Sequence, residues 1–403
     1  MKNLTALFVL ICLTFSLFAQ SSKMKGKKDK NVIANQYIVV FSDEFQTPFI
    51  KHKNFRSLKT RQQRAEALKS FQKNSEAKIN RFLQQMKILP EAIQNRFAGG
   101  IVGFTAKLNA VQLKALQASS VVKYIEFDRK VRVFTDLKPL KTSTQKTDWG
   151  VEYVGGGTVN GEGRYAFILD TGIFGNHPDL NVDKPLSTSC IASEPSFKDN
   201  HGHGTHCAGI IGAIDNTIGT RGVAAGATLI GVKVLDRTGN GTASSVLAGI
   251  VYTSAVAFPG DVVNMSLSGG GFQWLVDLNI KNLLGNRGIY VTIAAGNNNA
   301  NASGFWPAST NGSNIFTISN MTQAEEIAGT SNFGNGPVDY AAPGTSIYST
   351  DIVANGSYST RSGTSMAAPH VAGILLVNSG RIKSNGVLKV DKDATPDKIA
   401  VVK

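Results

Sequence analysis

The chain has 403 residues, 42 Lys+Arg against 28 Asp+Glu, a net charge of +14 and 42% hydrophobic residues. That length exceeds one typical domain, and the apolar content is ordinary for a globular protein. The charge does not mark a nucleic-acid binder: residues 1–135 hold 24 basic and 8 acidic side chains, residues 136–403 hold 18 and 20, and the second part has no basic patch interleaved with aromatics.

Lys2 and the apolar run Leu4 to Ala19 read as a secretory signal peptide cut near Ala19–Gln20. The run is short for a membrane anchor and no other stretch resembles a span, so a secreted, extracellular chain is expected. Ser21 to Asn31 is a Lys/Ser-rich linker. Asn35–Phe41 alternates as a strand. Leu58–Met86 reads as a long helix with Leu68, Phe71, Ile79, Phe82, Leu83 and Met86 on its apolar side. Gly103–Leu108 is a second strand, Asn109 caps a helix through Leu116, and Val121–Phe127 and Val131–Phe134 read as closing strands. Strands and helices alternating over about 100 residues predict a small ferredoxin-like α+β domain. Val133 to Asp148, Thr/Lys-rich with Pro139, reads as an exposed processing segment.

From there the pattern is α/β. Tyr165–Leu169, Thr228–Val234, Asp261–Leu267 and Ile289–Ala295 are short, β-branched-rich apolar runs, as in a buried parallel sheet. Helical stretches at Gly204–Ala213, Thr242–Ala257 and Phe272–Leu284 separate them, predicting a sheet covered on both faces. Ser362-Gly363-Thr364-Ser365 is a tight turn that delivers Ser365 as N-cap to the helix Met366–Val377, with Pro369 near the first turn. A hydroxyl there faces unpaired backbone N–H groups and the positive end of a helix dipole, which suits a nucleophile whose reaction develops an oxyanion.

In order the chain offers Asp170 in Ile-Leu-Asp-Thr-Gly, His203 in His-Gly-His-Gly-Thr-His-Cys-Ala-Gly, and Ser365 in Gly-Thr-Ser-Met-Ala-Ala-Pro-His. Three motifs in the order Asp…His…Ser resemble the subtilase family, nearest its proteinase-K-like members, over roughly residues 149–400. The α+β region that precedes it, within residues 20–135, resembles the family's propeptide, with Gly-Phe-Thr-Ala-Lys-Leu and Tyr124-Ile125-Glu126-Phe127-Asp128. The resemblance implies a signal peptide (1–19), a propeptide inhibitor domain (20–135), a processing linker (136–148) and a peptidase domain (149–403). It implies a mostly parallel sheet with helices on both faces, and a zymogen of a serine endopeptidase acting on protein or peptide substrates. Its own propeptide would be an intramolecular inhibitor. A monomer without nucleic-acid partner or stable membrane span is expected. The family's final helix would fall in Thr395–Val402, a short remainder.

The resemblance assigns roles residue by residue. Asp170 fixes the tautomer of His203, His203 is the base, and Ser365 attacks. Asn297, after Ala294, Ala295 and Gly296 at a strand end, supplies an oxyanion donor. Gly239 and Gly241 form one edge for extended substrate, and Ser266, Leu267, Ser268 and Gly269 the other, with Ala294 to Gly296 beside them. Ser268 stands where the family usually has Gly. No Asp or Glu occurs in 262–276 or 289–306, so an uncharged residue is expected in the first pocket. His201, His203 and His206 could also spell a metal cluster, but no Glu or Asp stands at the position a zinc hydrolase needs. His201 and His206 are expected to be structural. No cofactor is needed for the chemistry; Asp339 matches a structural calcium aspartate. Cys12 leaves with the signal peptide. Cys207 would be a buried free thiol, with pairing to Cys190 left open. A non-catalytic module on the same fold and a metallohydrolase are the rival classes.

Overall fold

A computed structural model describes residues 29–133, 136–140, 144–158, 160–352 and 357–403, with side chains omitted for 136–140. The expected signal peptide, most of the linker after it, and residues 134–135 and 141–143 of the processing segment lie outside the described residues. Asn31 to Lys403 forms one unit.

The first domain runs β1 (Val32–Phe41), α1 (Arg61–Gln85), β2 (Ile93–Ala98), β3 (Val102–Lys107), α2 (Ala110–Gln117) and β4 (Val122–Arg132). Its antiparallel sheet has the order β2-β3-β1-β4, the ferredoxin-like arrangement. Two expectations change. β2 was not read from the sequence, because Ile-Gln-Asn-Arg-Phe-Ala is polar at its centre. The two expected closing strands merge into β4, which runs unbroken from Val122 to Arg132 because the charged Asp128-Arg129-Lys130 stays extended; Phe134 lies outside the described residues. Both helices begin with reciprocal capping boxes, Thr60 with Gln63 and Asn109 with Gln112.

After β5 (Asp136–Leu140) and α3 (Trp149–Tyr153) come β6 (Tyr165–Asp170), β7 (Thr188–Ser189), α4 (His203–Gly212), β8 (Thr228–Lys233), β9 (Asn240–Thr242), α5 (Ala243–Val256), β10 (Val262–Met265), β11 (Gly269–Gly270) and α6 (Trp274–Asn279). They are followed by β12 (Tyr290–Ala294), β13 (Phe305–Trp306), β14 (Ile315–Met321), β15 (Tyr340–Pro343), β16 (Ile347–Asp351), β17 (Ser357–Ser362), α7 (Thr364–Val377), β18 (Lys383–Val387) and β19 (Lys398–Val401). The main sheet has the order β18-β19-β15-β14-β12-β10-β6-β8-β7. Every pairing in it is parallel except β18–β19. Every residue of α4, and all of α7 but Val377, is buried, as expected of helices apolar all round. The helix read from Phe272 is α6 followed by a π-turn at Ile280–Leu284. The last segment forms β19 rather than a helix, because Ile399 pairs with Ala341 of β15.

Ser365 is not the N-cap. Gly363 is, and it caps with no side-chain bond, so α7 starts at Thr364 and Ser365 sits within its first turn. Gly363 has φ +145°, and a Cβ there would meet Asn297 Nδ2 at 2.9 Å. Pro369 lies inside the helix rather than at its edge. It removes the N–H that would have bonded the Ser365 carbonyl. That oxygen accepts instead from Ser266 Oγ at 2.8 Å and from the Cys207 thiol at 3.3 Å.

The two domains share one apolar core, running from Ile38, Leu68 and Phe104 in the first to Val246, Leu275 and Leu283 in the second. Around it are polar links. Arg61 holds Asp261 by two bonds of 2.7 Å and lies 3.8 Å over the Tyr165 ring, and Arg64 donates to the Ala257 carbonyl at 2.7 Å. Thus α1 turns two of its arginines toward the second domain.

Candidate active site

Asp170 ends β6 and Asn297 follows β12, so both stand at the carboxyl edge of the parallel sheet, where such folds gather their sites. His203 opens α4. Its Nδ1 lies 2.8 Å from Asp170 Oδ1, which also accepts from the Thr171 N–H at 2.7 Å. Both side chains are fully buried. The close packing explains the glycine after His203: a Cβ on Gly204 would meet the Gly172 carbonyl at 2.1 Å. Burial alone would lower the His203 pKa, but the Asp170 carboxylate outweighs it and holds the imidazole above its usual range. Nε2 of His203 has no hydrogen-bond partner among the described residues. The Ser365 hydroxyl donates to the Ser266 carbonyl at 3.3 Å rather than to His203.

Asn297 is held from its carbonyl side: its Oδ1 accepts from the Thr364 N–H at 2.9 Å and the Thr364 hydroxyl at 3.0 Å. Thr364 Oγ1 also accepts from Gly296 N–H at 3.1 Å, so one side chain ties the end of β12 to the start of α7. Asn332 Nδ2 donates to the Ala295 carbonyl at 2.9 Å.

The substrate edges expected from sequence are both occupied by β4. Lys130, Val131 and Arg132 pair antiparallel with Thr242, Gly241 and Asn240 of β9. Arg132 exchanges two backbone bonds of 3.1 Å with Ser268, and Val133 N–H donates to the Gly239 carbonyl at 3.1 Å. Leu267 is buried and Gly269 pairs with Trp306.

The three histidines do not converge. His206 Nε2 lies 3.2 Å from the Ser359 carbonyl and burial drives its pKa well down, whereas His203 faces Asp170. His201 packs at 6.2 Å, ring centre to ring centre, from His203. Cys190 and Cys207 are free thiols.

Asp339 stands elsewhere, just before β15 and so at the opposite edge of the sheet. Its Oδ2 accepts from Thr317 N–H at 2.8 Å, and burial pushes its pKa up to about 6. A carboxylate drawn into low dielectric suits a hard cation with oxygen ligands, though one of its oxygens already holds a backbone N–H. Asp391, Asp393 and Asp397 form a separate group with carboxylate oxygens within 4.8 Å of one another. Internal donors engage each of them: Asp397 N–H on Asp391, Gly334 N–H on Asp393 and Ser319 Oγ on Asp397.

Sequence reasoning missed three supports. Lys233, fully buried in the apolar run of β8, donates to the Thr171 and Leu235 carbonyls at 2.7 Å each and braces the turn after Asp170. A lone Lys in an otherwise buried strand was the available signal. Asp128, fully buried, accepts from the Ser244 N–H at 3.0 Å and the Ser244 hydroxyl at 2.6 Å at the start of α5. Glu126 accepts from the Trp274 and Leu275 N–H groups at the start of α6, at 2.8 and 2.9 Å. Two carboxylates two places apart on one strand thereby cap two helices.

A parallel sheet covered by helices, with serine, histidine and aspartate at its carboxyl edge, defines a serine hydrolase of the α/β class. Comparison with known proteins narrows this. Residues 162–387 match the subtilase family and residues 36–134 match peptidase inhibitor I9. The subtilisin-like serine protease AsES of Sarocladium strictum is 36% identical over 310 residues, 73% of this chain and 75% of its own. Proteinase R of Parengyodontium album is 34% identical over 304 residues, 71% of this chain and 73% of its own. A crystal structure of a cold-adapted subtilisin-like serine proteinase superposes with a TM-score of 0.54 at 30% identity, covering 64% of this chain and 98% of that one. The chain belongs to the subtilase family. It is a subtilisin-like serine endopeptidase carrying an inhibitor-type propeptide domain.

Proposed function

We propose that the chain is a secreted, self-inhibited zymogen whose mature form hydrolyses peptide bonds through an acyl-enzyme formed on Ser365. The observation that carries the mechanism is the 2.8 Å contact between His203 Nδ1 and Asp170, which leaves Nε2 for the reaction. His203 Nε2 takes the Ser365 proton as Oγ attacks the scissile carbonyl, and returns it to the leaving amine. Asp170 holds the tautomer and stabilises the imidazolium. Asn297 Nδ2 and the Ser365 backbone N–H receive the oxyanion. Gly239, Gly241 and Ser266 to Gly269 pair with the substrate backbone, and Ala294 to Gly296 border the first pocket. The expectation of an uncharged residue in that pocket rests on the absence of acidic residues from both bordering stretches.

In this reading the first domain is the inhibitor, because β4 fills both substrate edges. Extracellular action is supported by the expected signal peptide, and no helix among the described residues is long and apolar enough to cross a membrane. Calcium at Asp339 would supply stability, not chemistry. The mature protein acts as a monomer. The test is hydrolysis of an unfolded protein by the purified chain and by Ser365→Ala. The wild type should digest it; equal digestion by both would place the activity elsewhere.

A further inference from the structure

We propose that Lys392 is a positioning residue for the oxyanion donor: its ammonium fills a cage of oxygens, built as a monovalent-cation site is built, and so holds the loop that carries Asn297. The proposal rests on the catalytic reading above for the role of Asn297, and adds the cage and the remote residue that fills it.

Lys392 lies in the segment between β18 and β19, flanked by Asp391 and Asp393. The residue is exposed as a whole, yet its Nζ turns inward. It lies 2.6 Å from Asn299 Oδ1, 2.9 Å from the Gly329 carbonyl, 3.1 Å from that of Ser331 and 3.3 Å from that of Ala328. An ammonium has three hydrogens, so four oxygens at such distances hold a compact positive charge rather than three separate donors. Without a cation, four dipoles would turn their negative ends to one spot. Backbone carbonyls gathered in this way replace the hydration shell of potassium, an ion close to ammonium in size. The segment carrying the lysine is itself fixed. Asp393 Oδ2 accepts from the Gly334 N–H at 2.7 Å, and Asp391 accepts from the Lys392 and Asp397 N–H groups at 2.6 and 2.7 Å.

The cage is one end of a clasp around Asn297. Its three carbonyls come from a tight turn, residues 328–331, closed by the Ser331 N–H on the Ala328 carbonyl at 2.9 Å. The remaining carbonyl of that turn, on Thr330, accepts from the Asn299 N–H at 2.9 Å. Asn299 therefore meets the turn twice, once through its backbone and once through the lysine, and it holds φ +49° there. Next in the chain is Asn332, fully buried. Its N–H donates to the Gly296 carbonyl at 2.8 Å and its Nδ2 to the Ala295 carbonyl at 2.9 Å. Its Oδ1 accepts from the Asn298 and Ala300 N–H groups at 2.8 and 3.2 Å. One asparagine thus grips the chain on both sides of Asn297. Thr364 fixes the Asn297 amide from α7, and Lys392 fixes the loop on which that amide stands. Loosening the cage releases Ser331 and Asn332, and a donor aimed at a developing oxyanion loses effect on small displacement.

The test assays the mature enzyme in buffer whose added cation is tetramethylammonium, which is too large for the cage. Lys392→Met keeps the stem and removes the charge; kcat should fall about tenfold, with KM changed less than about twofold. Ammonium or potassium chloride should restore most of the lost kcat, and tetramethylammonium chloride at the same concentration none. The wild type and Lys389→Met, which removes a nearby lysine paired with Glu325, should respond to neither salt. In an Asn297→Ala background, Lys392→Met should cost no further kcat, because the donor it positions is gone. An unchanged kcat in Lys392→Met, or an undiminished loss in the Asn297→Ala background, overturns the positioning role. A loss that neither ammonium nor potassium restores overturns the cage. A Lys392→Met chain that folds in none of these salts makes the lysine purely structural and overturns the proposal. An inactive wild type overturns the catalytic reading, and the cage then has its own measurement. With Ser365→Ala as background, potassium in place of tetramethylammonium should raise the melting temperature of Lys392→Met more than that of its parent. Equal shifts overturn the cage whatever the activity.

Discussion

Thr364 fixes Asn297: its N–H and its hydroxyl both donate to Asn297 Oδ1, at 2.9 and 3.0 Å. The amide can then turn only one way, with its nitrogen as the remaining donor group. Asn297→Ala should fold and bind substrate but lose about 10²–10³-fold in kcat, the loss known for the equivalent donor of a subtilisin rather than one calculated from this geometry. Thr364→Val, which keeps the shape and deletes the hydroxyl, should lose less and chiefly in kcat. An unchanged kcat in Asn297→Ala would remove Asn297 from the oxyanion role.

Asp128 gives the propeptide a test of its own. It is the buried acceptor for both the Ser244 N–H and hydroxyl at the start of α5. Asp128→Ala leaves those donors buried without it, a loss on the order of 1–3 kcal/mol for each group left unsatisfied. Added in trans, residues 31–133 carrying Asp128→Ala should inhibit the mature enzyme at least tenfold more weakly than the unaltered domain. The unaltered domain should hold in moderate salt, because strand pairing and the shared apolar core are not screened. Equal inhibition constants would show that the cap adds nothing to binding.

Asp397 sets a pH dependence. Burial raises its carboxyl, the Ser319 hydrogen bond opposes this, and Asp391, Asp393 and Asp339 raise it further, to about 7. The folded chain therefore keeps this proton up to near neutrality, whereas the unfolded chain releases it in the ordinary carboxyl range. The associated stability is fully present at acid pH and is lost as pH rises to about 7, by up to ~4 kcal/mol at ~1.4 kcal/mol per pH unit. Asp397→Asn keeps an acceptor for Ser319 and abolishes the titration. In chelator, with Ser365→Ala as background to prevent self-digestion, its melting temperature should fall less between pH 4.5 and 8 than that of the parent. Parallel curves would assign the dependence to other groups.

Asp339 is the calcium test. A cation that binds only the folded state stabilises by mass action, so Asp339→Ala should lower the melting temperature in millimolar calcium more than in excess chelator. Equal shifts in both buffers would leave Asp339 as the acceptor of the Thr317 N–H alone.

The sheet strands and the buried helices α4 and α7 were legible because uninterrupted β-branched runs and continuous apolar stretches have few other places to go. Asp170, His203 and Ser365 were legible as candidates because each sits in a short motif with a glycine within two residues, where the backbone packs closely. What stayed hidden depends on partners distant in sequence. β2 is polar and becomes a strand only against β3. Thr395–Val402 was all that remained for a final helix, shorter than expected, and Ile399 instead pairs with Ala341 of β15. Ser365 looked like an N-cap because local sequence does not reveal that Gly363 already takes that place. Glu126 and Asp128 stood in a recognised stretch, but their role appears only when α5 and α6 arrive from more than a hundred residues away.

The proposed roles are Ser365 as nucleophile, with His203 and Asp170 activating it. The measurement that tests these roles most directly is covalent labelling of the mature enzyme by a fluorophosphonate, with the intact mass recorded and the modified peptide sequenced. One phosphonyl group per chain, on Ser365, is expected, with labelling slowed by added propeptide and abolished in Ser365→Ala and His203→Ala. Labelling on another residue, or active enzyme that stays unlabelled, would contradict the account.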